Sequence, residues 1–386
     1  LLVIAAAVPT ASFYNEPRML EIMAVLALNF AITPFLAFPY AWLTREMRFG
    51  TIAALRFTGS VVHAGTAIGF AWIGYGPVSL AWANTLTTVS GILAVWILAR
   101  PNMPWKTSLR GVSEVVSFGG QLTLTSLMNT LASGAPELFL GKVQSMVEAG
   151  YFSRAQGLVS MFQRLVMDAV NAVALPYFAR QSREAHDLGS TFIIAMELVT
   201  GLAWPFFIGI AILAHPAIAI LYGNQWGEAV DPARWLALSC AIGIPSSVCY
   251  TPLVAVGAAN ETLKIAFVGT VLVLVATLLG AAADLVILSQ LLGVAAALSA
   301  ILWLRLAKRR LEFSVAALWR CWFKSLVLAV ATAAVPLAVI TEMGWRSPQI
   351  MLSTSIAAVG GALGFLLAAW LTKHQVWIEV CKLIRR

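Results

Sequence analysis

Long apolar runs, cut by short polar stretches, follow one another along the chain from its first residue almost to its last. An α-helix rises 1.5 Å per residue, so about twenty apolar residues cross the roughly 30 Å hydrocarbon core of a bilayer. That rule predicts twelve helical spans: Leu1–Ser12, Leu20–Ala41, Ala53–Ile73, Val78–Leu98, Leu122–Leu140, Ala155–Pro176, Phe192–Leu213, Trp235–Val256, Ile265–Ala283, Leu285–Leu306, Phe323–Ile340 and Ile350–Leu371. Only Asp284 and its neighbours separate the ninth from the tenth. The expected fold class is an all-α polytopic membrane protein.

The polar stretches between spans alternate in charge. One set collects Arg45, Arg48 and Arg56, then Arg100, Lys106 and Arg110, then Arg180 and Arg183, then Lys264. It continues through Arg305, the run Lys308–Arg310, Arg320 and Lys324, and ends with Lys373, Lys382, Arg385 and Arg386. The other set holds only Arg18, Lys142, Arg234 and Arg346. Positively charged loops stay on the cytoplasmic side, so the first set and the C-terminus are expected on that side of an inner or plasma membrane.

Composition agrees. Of 386 residues 60% are hydrophobic and 11% charged, and the mean hydropathy is +0.86. A soluble chain has too few polar groups here to cover its surface. The net charge of +8 therefore reads as an orientation signal, and no nucleic-acid partner is expected. Cys240, Cys249, Cys321 and Cys381 lie far apart or within spans, and the histidines are scattered. Neither a metal site nor a disulfide framework nor a cofactor is expected. The chain opens on Leu1 without a basic n-region, so a signal peptide is not expected and further helices are expected upstream.

Two stretches resemble each other weakly, one beginning at Phe13 and one at Leu221. Each has an aromatic-plus-Asn outer turn, a span with a mid-helix proline (Pro34, Pro245) and a polar inner loop. Six spans separate them, an even number, so the copies face the same way and describe parallel repeats about the membrane normal. Pro34, Pro205 and Pro245 mark points where a span could bend.

The sixth span carries ionised groups where a span should carry none. Arg164 lies near its middle, with Asp168 four residues on, and Arg154 lies at its outer end. Ionised side chains at bilayer depth cost roughly 2.5–3.5 kcal/mol each on insertion scales. Arg164 and Asp168 either neutralise each other as an i,i+4 pair or face a cavity, and Arg154 either snorkels to the interface or lines that cavity. Gln121, Asn129, Gln156, Gln163 and Asn171 suit either sugar hydroxyls or helix–helix hydrogen bonds. Glu197 is a candidate for ion coupling, and His63 reads as an interior histidine. Gly65–Gly69 and Gly360–Gly364 fit the GxxxG pattern of close helix contact. The run RLAKRRLEF (Arg305–Phe313) reads as a topogenic loop.

Three stretches, TREMRFGTIAALR (Thr44–Arg56), ELFLGKVQSMVEAGYFSRAQGLV (Glu137–Val159) and ALPYFARQSRE (Ala174–Glu184), resemble the Wzx-like polysaccharide flippases of the multidrug/oligosaccharidyl-lipid/polysaccharide exporter superfamily. The resemblance implies a MATE/flippase-like two-lobe bundle, fourteen helices in a full member against the twelve expected here. It divides this chain into residues 1–110 (the rest of an N-lobe), 111–310 (a C-lobe) and 311–386 (two C-terminal helices). It implies alternating-access transport of an undecaprenyl-diphosphate-linked oligosaccharide for lipopolysaccharide or exopolysaccharide synthesis. Arg164 and Arg154 would engage the diphosphate, since a guanidinium stays charged and donates paired hydrogen bonds to phosphate oxygens. Asp168 would hold Arg164 until substrate arrives. Glu137, where the family commonly has an acidic residue, would pair with Arg154 or titrate as a coupling carboxylate. Expected partners are the lipid-linked substrate and membrane lipids, with a polysaccharide polymerase and a chain-length regulator behind them. The alternatives are a cation-coupled multidrug exporter and a membrane glycosyltransferase or polymerase. The first would want more carboxylates than the sixth span offers. The second would need a large loop or a nucleotide-sugar motif, which the sequence lacks, so no enzymatic activity is expected.

Overall fold

The computed structural model describes residues 2–46, 48–99, 112–183, 187–343 and 350–384. Among these the chain forms helices and turns, with no strand. Arg100, Lys106, Arg110, Arg346, Arg385 and Arg386, which help set the expected orientation, lie outside the described residues, as do Met47 and Glu184 of the quoted stretches.

Contacts divide the chain into two compact units, Leu1–Val112 and Ser113–Arg386. The first holds α1 (Leu2–Tyr14), α2 (Arg18–Arg45), α3 (Phe49–Trp72) and α4 (Val78–Ala99). The second begins with α5 (Val112–Val143) and α6 (Met146–Val159). After a π-helical turn, Gln163–Met167, it continues with α7 (Asp168–Arg183), α8 (Leu188–Leu221), α9 (Val230–Ala255), α10 (Ala259–Ala281) and α11 (Leu285–Leu311). It closes with α12 (Val315–Met343), α13 (Ile350–Leu371) and the short α14 (Gln375–Ile384).

Every expected span but the sixth coincides with one helix, and the chain is a multi-pass membrane protein. Among the described residues, eight helices are long and apolar enough to cross a bilayer: α2, α4 and α8 to α13. Of the other four, which include α5, three differ for visible reasons. The α1 helix has 13 residues, α3 carries Arg56 and His63, and the sixth span is broken into α6, the π turn and α7. Large apolar side chains such as Trp72, Phe57 and Ile97 stand exposed around the units, which suits lipid and would be a liability in water.

Helix ends follow local chemistry. The Ser145 hydroxyl accepts from the Glu148 N–H (3.1 Å) and starts α6. The Asp187 carboxylate accepts from the N–H groups of Gly189 (2.9 Å) and Ser190 (3.2 Å) to start α8, and these bonds hold its pKa below the usual carboxylate value. Asp284 caps α11 through the Leu285 N–H (2.6 Å), so the turn between the ninth and tenth expected spans is real. The RLAKRRLEF run corrects the sequence reading. Arg305 to Leu311 are the last turns of α11, because basic side chains there complement the C-terminal dipole, and the chain leaves only at Glu312 in a left-handed conformation (φ 53°). The two stretches that resemble each other start alike, each turning through a positive-φ residue (Asn15, 56°; Gly223, 98°) ahead of a proline-containing helix. Pro34, Pro205 and Pro245 all lie inside continuous helices.

The larger core lies in the second unit, where Phe152, Phe192, Met196, Leu253 and Leu288 are buried together. The α12 helix packs along both α8 and α13. Here one GxxxG match acts as expected: a Cβ on Gly364 would come within 2.5 Å of the Ala331 carbonyl oxygen on α12. The other does not, since a Cβ on Gly65 or Gly69 would meet nothing within 4 Å. Gly364→Ala should therefore destabilise the protein by about 1–3 kcal/mol, read as a lower unfolding midpoint in detergent, while Gly65→Ala should leave the midpoint in place. Equal effects would show that α12 and α13 do not depend on this close approach.

Candidate functional site

The second unit encloses a cavity of about 420 Å³ among α5, α6 with the π turn, α8, α9, α10 and α11. Phe152, Phe162, Phe207 and Ile244 supply its apolar wall. Its polar atoms come from Ser133 on α5, Gln156, Ser160 and Gln163 on the sixth span, and Ser239 and Ser247 on α9. Gln156 also donates to the Ser133 carbonyl (3.3 Å), tying α6 to α5 across the cavity edge. Ser239 donates to the carbonyls of Trp235 (2.8 Å) and Ser289 (3.0 Å), tying α9 to α11.

The π turn decides what the charged residues do. In an α-helix Arg164 would stand over Asp168, four residues on. An i→i+5 register instead brings Gln163 over Asp168: the Asp168 N–H donates to the Gln163 carbonyl, and the Gln163 side chain reaches the Asp168 carboxylate at 3.5 Å. Arg164 turns back and donates to the Ser160 hydroxyl at 2.6 Å. Among the described residues Arg164 and Asp168 form no ion pair. Both are exposed on this unit. Arg164 does not line the cavity, but Ser160, to which it is bonded, does.

Arg154 is held elsewhere. Its guanidinium lies 4.9 Å from the Trp226 ring and 5.5 Å from the Tyr222 ring, in the turn between α8 and α9, and Tyr151 packs edge-on against the same Trp226. Glu137 is half-buried on α5, and among the described residues it forms no ion pair with Arg154. Asn129 and Asn171 are exposed outside the cavity lining, and the Gln121 side chain lies outside the described residues. Glu197, buried on α8, accepts from Lys324 Nζ (3.2 Å) and the Gln375 N–H (3.2 Å). Of the candidates read from sequence, the cavity gathers Gln156 and Gln163.

Ser160 was missed by the sequence reading. The signal was there: Gln156, Ser160 and Gln163 recur at i, i+4 and i+7, the spacing of one helix face. A second omission lies in the first unit. Arg56, counted above with an inner loop, is instead well inside α3, which already begins at Phe49. Its Nε donates to the Tyr40 hydroxyl (2.8 Å), and together with His63 and Ser60 it lines a cavity of about 510 Å³ among α2, α3 and α4.

A family model described as polysaccharide biosynthesis protein matches residues 1–231. The chain is similar to the succinoglycan biosynthesis transport protein ExoT of Rhizobium meliloti, 25% identical over 64% of this chain and 50% of that one. It is also similar to the teichuronic acid biosynthesis protein TuaB of Bacillus subtilis, 21% identical over 59% and 48%, respectively. The lipopolysaccharide biosynthesis protein WzxC of Escherichia coli is 24% identical over 61% of this chain and 47% of its own length. The chain thus spans about half the length of the curated relatives it matches.

The Arg154–aromatic contact can be measured by a double-mutant cycle. Arg154→Ala and Trp226→Ala should couple by about 0.5–1 kcal/mol in unfolding free energy. Strict additivity would mean that the guanidinium is not held by the ring.

Proposed function

The chain belongs to the polysaccharide biosynthesis protein family, and from that premise we propose that it moves a lipid-linked oligosaccharide, carried on an anionic diphosphate, across a bacterial inner membrane by alternating access. The observation that supports this reading is a largely apolar cavity within a membrane-spanning bundle that carries serine and glutamine side chains at its wall, with Arg164 bonded to the Ser160 among them. Hydroxyl and amide groups at membrane depth are expensive unless they meet one another or a polar cargo. Gln156, Gln163 and the serines offer donors and acceptors to sugar hydroxyls, and a sugar-sized ligand suits a cavity of this volume.

Arg164 supplies the charge. Its present partner is a neutral hydroxyl, so a phosphate can displace that bond and gain a charge-assisted one. Arg56, at the wall of the cavity in the first unit, offers a second guanidinium. Arg154, stacked on Tyr222 and Trp226, is assigned to the membrane interface. Asp168, reached by Gln163, orients that amide at the cavity mouth, and Glu137 keeps its two assignments, pairing or coupling. In this reading residues 1–110 are the rest of an N-lobe, 111–310 a C-lobe and 311–386 two C-terminal spans with a cytoplasmic tail. The cargo leaves unchanged, so the protein acts as a carrier and not as a catalyst. A polymerase and a chain-length regulator would act on that cargo afterwards.

In a strain lacking its own transporter of this kind, Arg164→Ala at unchanged protein level should lower polysaccharide output about ten- to a hundredfold, the worth of one charge-assisted hydrogen bond. Arg164→Lys, which keeps the charge and loses the fork, should fall between. Full output with Arg164→Ala would remove this residue from the mechanism. A fluorescent protein fused after Arg386 should fluoresce. Activity of an alkaline phosphatase fused there would reverse the orientation.

A further inference from the structure

Away from both cavities, a buried polar cluster joins α8, α12 and the start of α14. His374, between α13 and α14, is fully buried. Its Nδ1 faces the Val376 N–H at 3.2 Å and accepts from it, which leaves the proton on Nε2. Nε2–H points at the Ser325 hydroxyl (3.3 Å), Ser325 lies 2.8 Å from Thr200, and Thr200 donates to the Met196 carbonyl (2.7 Å). One direction of donation satisfies this whole chain, with the imidazole neutral. Beside it, Glu197 accepts from Lys324 and from the Gln375 N–H, so the first two N–H groups of α14 are held by a side chain from another element and by His374.

Two backbone features are built around this insertion. Lys373 turns the chain through a left-handed conformation (φ 47°), unfavourable for a residue with a side chain, and so aims the imidazole inward. Opposite it stands Gly201, one turn along α8 from Glu197. A Cβ there would collide with Cε1 and the ring nitrogens of His374, so only glycine leaves the slot open.

We propose that α14 is a releasable strap, docked onto α8 and α12 when the His374 imidazole fills the Gly201 slot and freed when the ring leaves it. The docked form requires neutral histidine, because a proton on Nδ1 would confront the Val376 N–H. Burial holds the imidazole pKa below its ordinary value. Of the charged groups facing it, Glu197 on α8 opposes that shift and Lys324 on α12 adds to it. Cys321, also on α12, adjoins Glu197 and Thr200. On α14, Glu379 and Lys382 pair with each other at 2.7 Å, and α13 presents no titratable group among its described residues. A depressed folded-state pKa gives the sign: docking is strongest above the ordinary histidine pKa of about 6.5 and weakens as pH falls through the docked value. Release would expose the buried Glu197 to water and detach the C-terminal segment from α8.

Hydrogen–deuterium exchange of the full-length protein in nanodiscs tests this. After correction for intrinsic rates, the α14 amides should be protected at pH 8 and exchange up to about tenfold faster for each pH unit below the ordinary histidine pKa of about 6.5, levelling off once pH passes below the docked value. His374→Asn, which keeps an acceptor for the Val376 N–H and cannot be protonated, should remove that pH dependence. Gly201→Ala should leave α14 unprotected at every pH. If Gly201→Ala does not fold, the comparison of wild type with His374→Asn decides alone. Equal α14 protection in the wild type at pH 8 and pH 5.5, or an undiminished pH response in His374→Asn, would overturn the proposal.

Discussion

Hydrocarbon offers no hydrogen-bond partner, so in a membrane-spanning bundle each polar side chain has to find its partner on another helix, on its own backbone or in a cavity. Much of the second unit follows from that constraint. Gln156 reaches the Ser133 carbonyl, Ser239 the Ser289 carbonyl, and Thr200 meets Ser325. Each of these bonds joins helices that apolar packing alone would leave free to slide, because lipid tails compete equally well for apolar faces. Two of the polar groups that line the cavity, Gln156 and Ser239, are also ones that fix the helices around it.

The π turn is where this constraint meets function. It gives up α-helical register for one turn and re-pairs Asp168 with Gln163, leaving Arg164 on a neutral hydroxyl. An arginine neutralised by an aspartate would have to break an ion pair before meeting phosphate. One bonded to serine exchanges a neutral partner for a charged one. The weakest tether thus falls on the residue that the proposed cargo would need.

How far the sequence revealed this depended on the kind of signal. Spans are collective features, and twenty apolar residues outvote local ambiguity, so even the turn at Asp284 was placed correctly. The Gly360–Gly364 contact was legible for the same reason, whereas Gly65–Gly69 shows that a spacing alone does not name its partner. The Arg164–Asp168 pairing was not legible, because i,i+4 arithmetic assumes an α-helix and nothing in QRLVM announces a π turn. Arg56 was counted with an inner loop for its charge, although the predicted span Ala53–Ile73 already contains it and its Tyr40 partner lies on another helix. Glu197 and His374 are separated by most of the second unit in sequence, and only the packing of α8 against the segment after α13 brings their shared site into view.

The central claim is that the cavity beside Arg164 receives the glycan of a lipid-linked diphosphate. Its most direct test is alkylation of Gln163→Cys in protein whose four native cysteines are replaced by serine, reconstituted in liposomes. The account predicts that a water-soluble maleimide modifies this thiol, and that a lipid-linked diphosphate oligosaccharide slows the reaction while the same lipid monophosphate without sugar does not. A thiol that stays unmodified, or is modified at the same rate with the oligosaccharide present, would contradict it.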